Sequence, residues 1–186
     1  DAKILSIVAN GELASTMSLG AKVMIALDRT PFYAESGGQI GDTGYLSNDT
    51  VQIKITRTFK NHEGVFVHEG EVLSGVVSVG DTVEAVIDRS ERESIMRNHT
   101  AAHLLQKALR EVLGTHVEQA GQLVTAKSVR FDFTHFSALT ADELKKVEDL
   151  VNEYILSAHE VTMTEMPIDE AKKLGAMALF GEKYGD

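Results

Sequence analysis

The spacing of hydrophobic and polar positions changes about half-way along this chain. Up to residue 88 the apolar residues fall in short β-prone runs: Val23-Met24-Ile25-Ala26-Leu27, Val51-Gln52-Ile53-Lys54-Ile55 and Thr82-Val83-Glu84-Ala85-Val86-Ile87. Two of these alternate with a period of two, the signature of a strand with one buried face. Turn-forming clusters separate them at Ser47-Asn48-Asp49, Asn61-His62-Glu63-Gly64 and Gly80-Asp81. Many short strands at close spacing predict a small barrel or sandwich.

After the charged stretch Asp88-Arg89-Ser90-Glu91-Arg92-Glu93 the period lengthens to that of a helix. Ala101, Leu104, Leu105, Ala108, Leu109, Val112 and Leu113 fill one sector at 100° per residue, and Gly114 supplies a stop. Val117 to Val124 and Val129-Arg130-Phe131-Asp132-Phe133 then read as strands, joined by a hairpin at Thr125-Ala126-Lys127-Ser128. The second strand is expected to bury Val129, Phe131 and Phe133. Thr140-Ala141-Asp142-Glu143 is a capping box, opening a helix with the stripe Leu144, Val147, Leu150, Val151, Tyr154 and Ile155. Val161 and Met163 read as a strand ending at Pro167, and Asp169 to Leu174 as a short helix ended by Gly175. The expected class is α+β: a β-barrel domain over residues 1–90, and an α+β domain over 91–186 that is incomplete at its C-terminal end.

Composition narrows what such a chain can do. No apolar run of the 186 residues approaches the roughly 18 needed to span a bilayer, so no membrane role is expected. Asp1-Ala2-Lys3 has neither a starting Met nor a signal pattern and reads as the interior of a longer chain. The absence of cysteine excludes a disulfide scaffold and fits a reducing, cytoplasmic setting. A net charge of −10 argues against a broad nucleic-acid-binding surface. The window from Arg89 to Arg130 differs, with seven Lys/Arg against four Asp/Glu, so an anionic ligand can dock there locally.

Three features carry candidate chemistry. His99 and His103 stand four residues apart, one helical turn, where two imidazoles can share a metal ion. They fall opposite the apolar sector, with Gln106, Lys107 and Arg110, so a solvated polar face explains the spacing as well as half a metal site does. Thr100 stands where a metallopeptidase would need its glutamate base. Ser36-Gly37-Gly38-Gln39-Ile40-Gly41-Asp42-Thr43-Gly44 is dense in glycine yet matches neither the phosphate-loop nor the dinucleotide fingerprint; an ordinary loop between strands accounts for it too. Gln119 is expected on one strand face with Val117, Gly121 and Leu123, a polar amide in an apolar row that needs a partner or ligand. His116 and His135 have no such context and read as ordinary surface or core histidines.

Longer strings go further than spacing. Thr30-Pro31-Phe32-Tyr33-Ala34-Glu35-Ser36-Gly37-Gly38-Gln39, Arg97-Asn98-His99-Thr100-Ala101-Ala102-His103-Leu104-Leu105, Leu113-Gly114-Thr115-His116-Val117-Glu118-Gln119 and Gly175-Ala176-Met177-Ala178-Leu179-Phe180-Gly181-Glu182-Lys183-Tyr184 occur in that order. Together they resemble the editing region of bacterial alanyl-tRNA synthetases. The resemblance implies an elongation-factor domain-2-like barrel followed by an α+β editing domain shared with threonyl-tRNA synthetase. It implies hydrolysis of Ser-tRNA(Ala) and Gly-tRNA(Ala), a second sieve for substrates that binding alone separates only about 10- to 200-fold.

By the same resemblance His99 and His103 are zinc ligands whose Cys-x-x-x-His partners lie beyond Asp186, so the chain alone is expected to be inactive. Gln119 is the expected catalytic residue of the editing pocket. Gly37, Gly38, Gln39 and Gln122 would bind substrate there, with Arg97, Lys107, Arg110 and Lys127 near tRNA phosphates. The expected partner is the acceptor end of tRNA(Ala), in a parent compatible with homo-oligomerisation, and ATP would be used only at an aminoacylation site outside these residues. A freestanding editing hydrolase and a non-catalytic tRNA-binding module are the alternatives.

Overall fold

A computed structural model describes residues 1–175 of the chain. The fold is α+β with a large antiparallel sheet. The strand-rich part holds β1 (Ala2–Ala9), β2 (Glu12–Ala14), β3 (Thr16–Ser18), β4 (Lys22–Leu27), β5 (Gly44–Ser47), β6 (Gln52–Lys60), β7 (Phe66–Ser74), β8 (Val76–Ser78) and β9 (Thr82–Ile87). Seven of them run in the order β2-β1-β4-β7-β6-β5-β9, and β9 pairs back onto β1 at Ala2 and Lys3. That return closes β1, β4, β7, β6, β5 and β9 into a ring, with β2 as the outer strand beside β1. β3 and β8 form a separate two-stranded ribbon.

Alternation along the strands fills the inside. Ile4 and Ile7 of β1, Val23 and Ile25 of β4, Leu46 of β5, Ile53 and Ile55 of β6, Val72 of β7 and Val83 of β9 are buried in one cluster with Phe32 and Val51. Two polar side chains are buried with them, each with partners. His68 on β7 lies between Thr30 Oγ1 at 2.7 Å and Ile25 O at 3.0 Å, and Thr58 Oγ1 donates to Asp42 O at 2.9 Å. Register shifts mark a bulge in β6 between Ile55 and Arg57 and one in β7 between Val72 and Ser74, opposite Gln52 and Ile53; both strengthen the local twist of a closing sheet.

The remaining elements are α1 (Arg89–Leu113), β10 (Gln119–Val124), β11 (Val129–Phe133), α2 (Ala141–Leu156) and α3 (Ile168–Lys173). The charged stretch from Asp88 is the cap and first turn of α1, not a connector. The Asp88 carboxylate accepts from the Glu91 amide at 2.9 Å, and an acidic residue in the first turn suits the positive end of the helix. Gly114 ends α1 at φ +117. The capping box at Thr140 and Glu143 forms as the pattern predicts. A second core joins Ala108, Leu109, Val117 and Val147 to the half-buried Leu105, Phe131, Phe133, Leu150 and Val151.

Three expectations about local structure fail. Val161 and Met163 lie in no strand and are 78% and 97% exposed; β propensity without a neighbouring strand to pair with does not make one. Gln106, expected on the solvated face of α1, is buried. Gln119 does not share a face with Leu123, because a bulge between Gln119 and Gly121 shifts the alternation and turns Leu123 outward. Residues 176–184 of the fourth resemblance string lie outside the described residues.

The two parts meet through specific contacts. Asp42, 2% exposed, accepts from the Arg92 guanidinium and from the Tyr33 amide, while Arg92 also donates to Pro31 O. Asp88 N donates to Thr43 O, and the Thr43 hydroxyl to Glu91. At the far side of the glycine-rich loop Ile40 N donates to Val124 O at 3.1 Å and Val124 N to Gly38 O at 2.8 Å. The loop is thus stitched to β10 as well as to the barrel.

Candidate functional site

The glycine-rich segment is a tight turn set against a helix. Ser36 and Gln39 exchange backbone hydrogen bonds around Gly37 and Gly38, whose φ values are +58 and +74. Two successive left-handed residues define a type I′ turn and select glycine at both positions. At Gly38 space decides as well: a Cβ would sit 2.4 Å from Gln122 Cγ and 2.6 Å from its carbonyl oxygen. Gln122 in turn donates its side-chain amide to Gly37 O. Gly37, Gly38 and Gln122 therefore hold the loop onto β10.

Gln39 leaves this turn pointing at α1. It is 7% exposed, and its Oε1 lies 2.7 Å from His99 Nδ1. One turn further along α1, His103 stacks on His99 with ring centroids 5.4 Å apart and planes 10° from parallel. Burial, and to a lesser degree the neighbouring His103, lowers the His99 pKa below 6.5, which favours the neutral ring at physiological pH. His103 is exposed. A partly sheltered neutral imidazole beside an open one can donate, accept or ligate.

α1 and β10 run antiparallel along this face. Asn98 Nδ2 donates to Thr125 O at 2.8 Å at one end. At the other, Gln106 Nε2 and Arg110 Nη1 both donate to Val117 O, at 3.1 and 2.9 Å. Gln119 lies on β10 between the residues that make these pins, half-buried. Gln106 Oε1 is buried without a partner.

The expected basic contacts separate into two kinds. Arg110 is engaged by Val117 O, and Lys107 pairs with Glu111 at 2.7 Å. Arg97 is exposed and, among the described residues, donates to Ser94 of its own helix. Lys127 is exposed in the β10–β11 turn, at the end of the face where Asn98 meets Thr125. Sequence reasoning missed Asn98, Gln106 and the Arg92–Asp42 pair. Their partners are 11 to 50 residues away, and only the folded chain brings them together.

Zinc, expected at the histidine pair, finds two donors. Among the described residues no group of three or more His, Cys, Asp or Glu is placed to hold a metal. What fits is half a site: two imidazoles one turn apart, with an amide oxygen behind the ring of one, as metal-bound histidines commonly have.

Comparison with known proteins adds the family context. The model of class II (A) tRNA synthetases matches residues 1–91, the glycine-rich turn included. An alanine--tRNA ligase of Acetivibrio thermocellus is 51% identical over 185 residues, and that of Bacillus cytotoxicus 50% over 186. The enzyme of Bacillus subtilis is likewise 50% identical over 186 residues. Each alignment covers 100% of this chain and 21% of the relative. The likeness is to a segment of that ligase, about a fifth of its length.

The class II match overturns the assignment of this chain to an editing region. With it go the hydrolysis of Ser-tRNA(Ala) and Gly-tRNA(Ala), the freestanding-hydrolase alternative, and the expectation that aminoacylation lies wholly outside these residues. The likeness to alanine--tRNA ligases stands, at the level of the enzyme. Among the described residues no helix is long and apolar enough to cross a membrane.

Proposed function

We propose that the chain works as part of a cytoplasmic alanine--tRNA ligase, in its class II aminoacylation region, and helps to seat the acceptor end of tRNA(Ala). The observation that carries this reading is the class II synthetase match over residues 1–91, within a likeness to alanine--tRNA ligases that runs the length of the chain. In that setting the closed sheet, of the kind seen in domain 2 of elongation factors, is a rigid base. The face between α1, β10 and the glycine-rich turn receives the nucleic acid. Arg97 and Lys127 are the exposed cations at its end and suit phosphate oxygens. Gln119 offers an amide to the terminal nucleotide or its ester. ATP and alanine are the small substrates of the ligase.

Zinc enters this reading only through His99 and His103, which would hold it together with donors outside the described residues. When bound it supplies a Lewis-acidic positive charge beside the cleft. The protein's own contribution is to keep His99 neutral and oriented, through burial and the Gln39 contact.

The test uses the full-length ligase containing these residues, assayed for alanylation of tRNA(Ala) and for alanine-dependent pyrophosphate exchange. Replacing Arg97 and Lys127 by alanine is expected to raise KM for tRNA(Ala) and leave the exchange reaction unchanged. The slope of log affinity against log salt should fall by about one for each residue. An unaltered KM and salt slope would remove these side chains from the tRNA path. A full-length chain that fails to charge tRNA(Ala) with alanine would remove the ligase reading itself.

A further inference from the structure

We infer that Gln39 is a positioning residue that sets the tautomer of His99, holding the proton on Nδ1 and leaving the Nε2 lone pair free beside His103. The argument starts from the hydrogen-bonding inventory. An amide oxygen only accepts, so the 2.7 Å contact from Gln39 Oε1 to His99 Nδ1 requires the proton to be on Nδ1. A neutral imidazole carries one proton, and Nε2 is then the basic, ligating nitrogen.

The backbone behind Gln39 gives the contact its rigidity. Its own turn is closed in both directions between Ser36 and Gln39. The residues on either side of it are tied to Val124, through Val124 N to Gly38 O and Ile40 N to Val124 O. Gln39 is itself buried, so its amide approaches the ring from a fixed direction. The stack of His103 on His99, 10° from parallel, restrains the same ring from a second side.

The device therefore spans the two halves of the molecule, a barrel turn fixing the protonation pattern of a helix residue 60 positions away. It suits any electron-pair acceptor shared by the two imidazoles, and a divalent zinc ion is the probe of choice. This inference rests on the reading of His99 and His103 as paired donors, but its first test does not need the metal.

That test is long-range ¹H–¹⁵N correlation of the histidine rings in the 186-residue chain, at a pH where the rings are neutral. The expected spectrum shows His99 as the Nδ1–H form. Gln39→Leu removes the acceptor and should move His99 to the Nε2–H form that free histidine prefers. Gln39→Glu keeps an acceptor oxygen and should restore Nδ1–H. The backbone ties to Val124 involve no Gln39 side-chain atom, and unchanged amide shifts in β10 would show that each variant folds.

A wild-type His99 with its proton on Nε2, the state expected if the amide faced the other way, overturns the inference. So does a tautomer that ignores Gln39→Leu. A second arm titrates zinc into the wild-type, Gln39→Leu and His103→Ala chains. Loss of Gln39 is expected to weaken zinc binding about 10- to 100-fold, and loss of His103 to weaken it at least as much. Zinc binding that does not depend on His103 would overturn the paired-donor reading and leave the tautomer result to decide the role of Gln39.

Discussion

The barrel and the helix-hairpin part that follows it solve the same burial problem differently. Inside the closed sheet Ile4, Ile7, Ile25, Leu46, Ile53, Ile55 and Val72 have no exposed surface at all. Its buried polar side chains, His68 and Thr58, are hydrogen-bonded. The second part covers a two-stranded sheet with two helices, and most of its hydrophobics are only half-buried. It also holds the one buried side-chain atom without a partner found among the described residues, Gln106 Oε1. A closed sheet supplies its own core. A two-stranded one borrows rigidity from its neighbours, here through the Arg92–Asp42 pair and the glycine-rich turn. The histidine face lies where that borrowing takes place.

The sharpest way to break this contrast is to cut the joint. Asp42 is almost fully buried and Arg92 is 25% exposed. Removing one partner of a buried pair costs about 3–5 kcal/mol, because the other charge is left uncompensated. Partial exposure of Arg92 allows some rehydration, so Asp42→Ala is expected to destabilise by about 3 kcal/mol in chemical denaturation. Hydrogen exchange should show the loss mainly in the first turns of α1 and in β10, with β6 and β7 still protected. Uniform loss across the barrel would show that Asp42 is a core residue of the sheet and no joint.

His68 probes the barrel alone. Burial lowers its pKa from 6.5, outweighing the opposing contact with Ile25 O. The unfolded chain therefore takes up a proton near pH 6.5 that the folded barrel resists. The folded state's advantage is complete above that pH and shrinks as the pH falls below it. The slope contributed by one such proton is at most about 1.4 kcal/mol per pH unit. Denaturation midpoints measured between pH 7.5 and 5 should fall, and the fall attributable to this site should vanish in His68→Gln. A variant with the wild-type pH profile would place the sensitivity elsewhere.

How much of this was legible in the sequence follows from the range of the interactions. Strands β6 and β9 alternate on their own, β4 is a β-prone apolar run, and the hairpin at 125–128 and the Thr140 capping box are local patterns, so they can be read before folding. β7 hides because His68 and Gly70 occupy inward or close-packed positions where a strand pattern expects an aliphatic side chain. The start of α1 was obscured by charges that serve as its cap and first turn. The His99–His103 spacing is visible as helix geometry. What completes the face around it is tertiary: Gln39 lies 60 residues from His99, and Asn98 27 residues from Thr125. The burial of Gln106 shows the converse limit. Helical phase placed it outward, yet β10 packs on that side of α1 and covers it.

The mildest test stays within the second part and asks how much local sequence contributes where the core is thin. The Thr140 hydroxyl caps α2 by accepting from the Glu143 amide at 3.3 Å, and the Glu143 carboxylate accepts from Thr140 N at 2.8 Å. Thr140→Ala removes one half of that exchange and should cost about 1 kcal/mol. α2 lies over α1 through Val147, its one buried side chain. Fraying of its first turn should therefore appear as faster amide exchange in α2 with little change in β4, β6 or β7. If the barrel lost protection by the same amount, the two parts would unfold as one cooperative unit. The contrast between them would then be one of packing density alone, with no independent opening of the helical part.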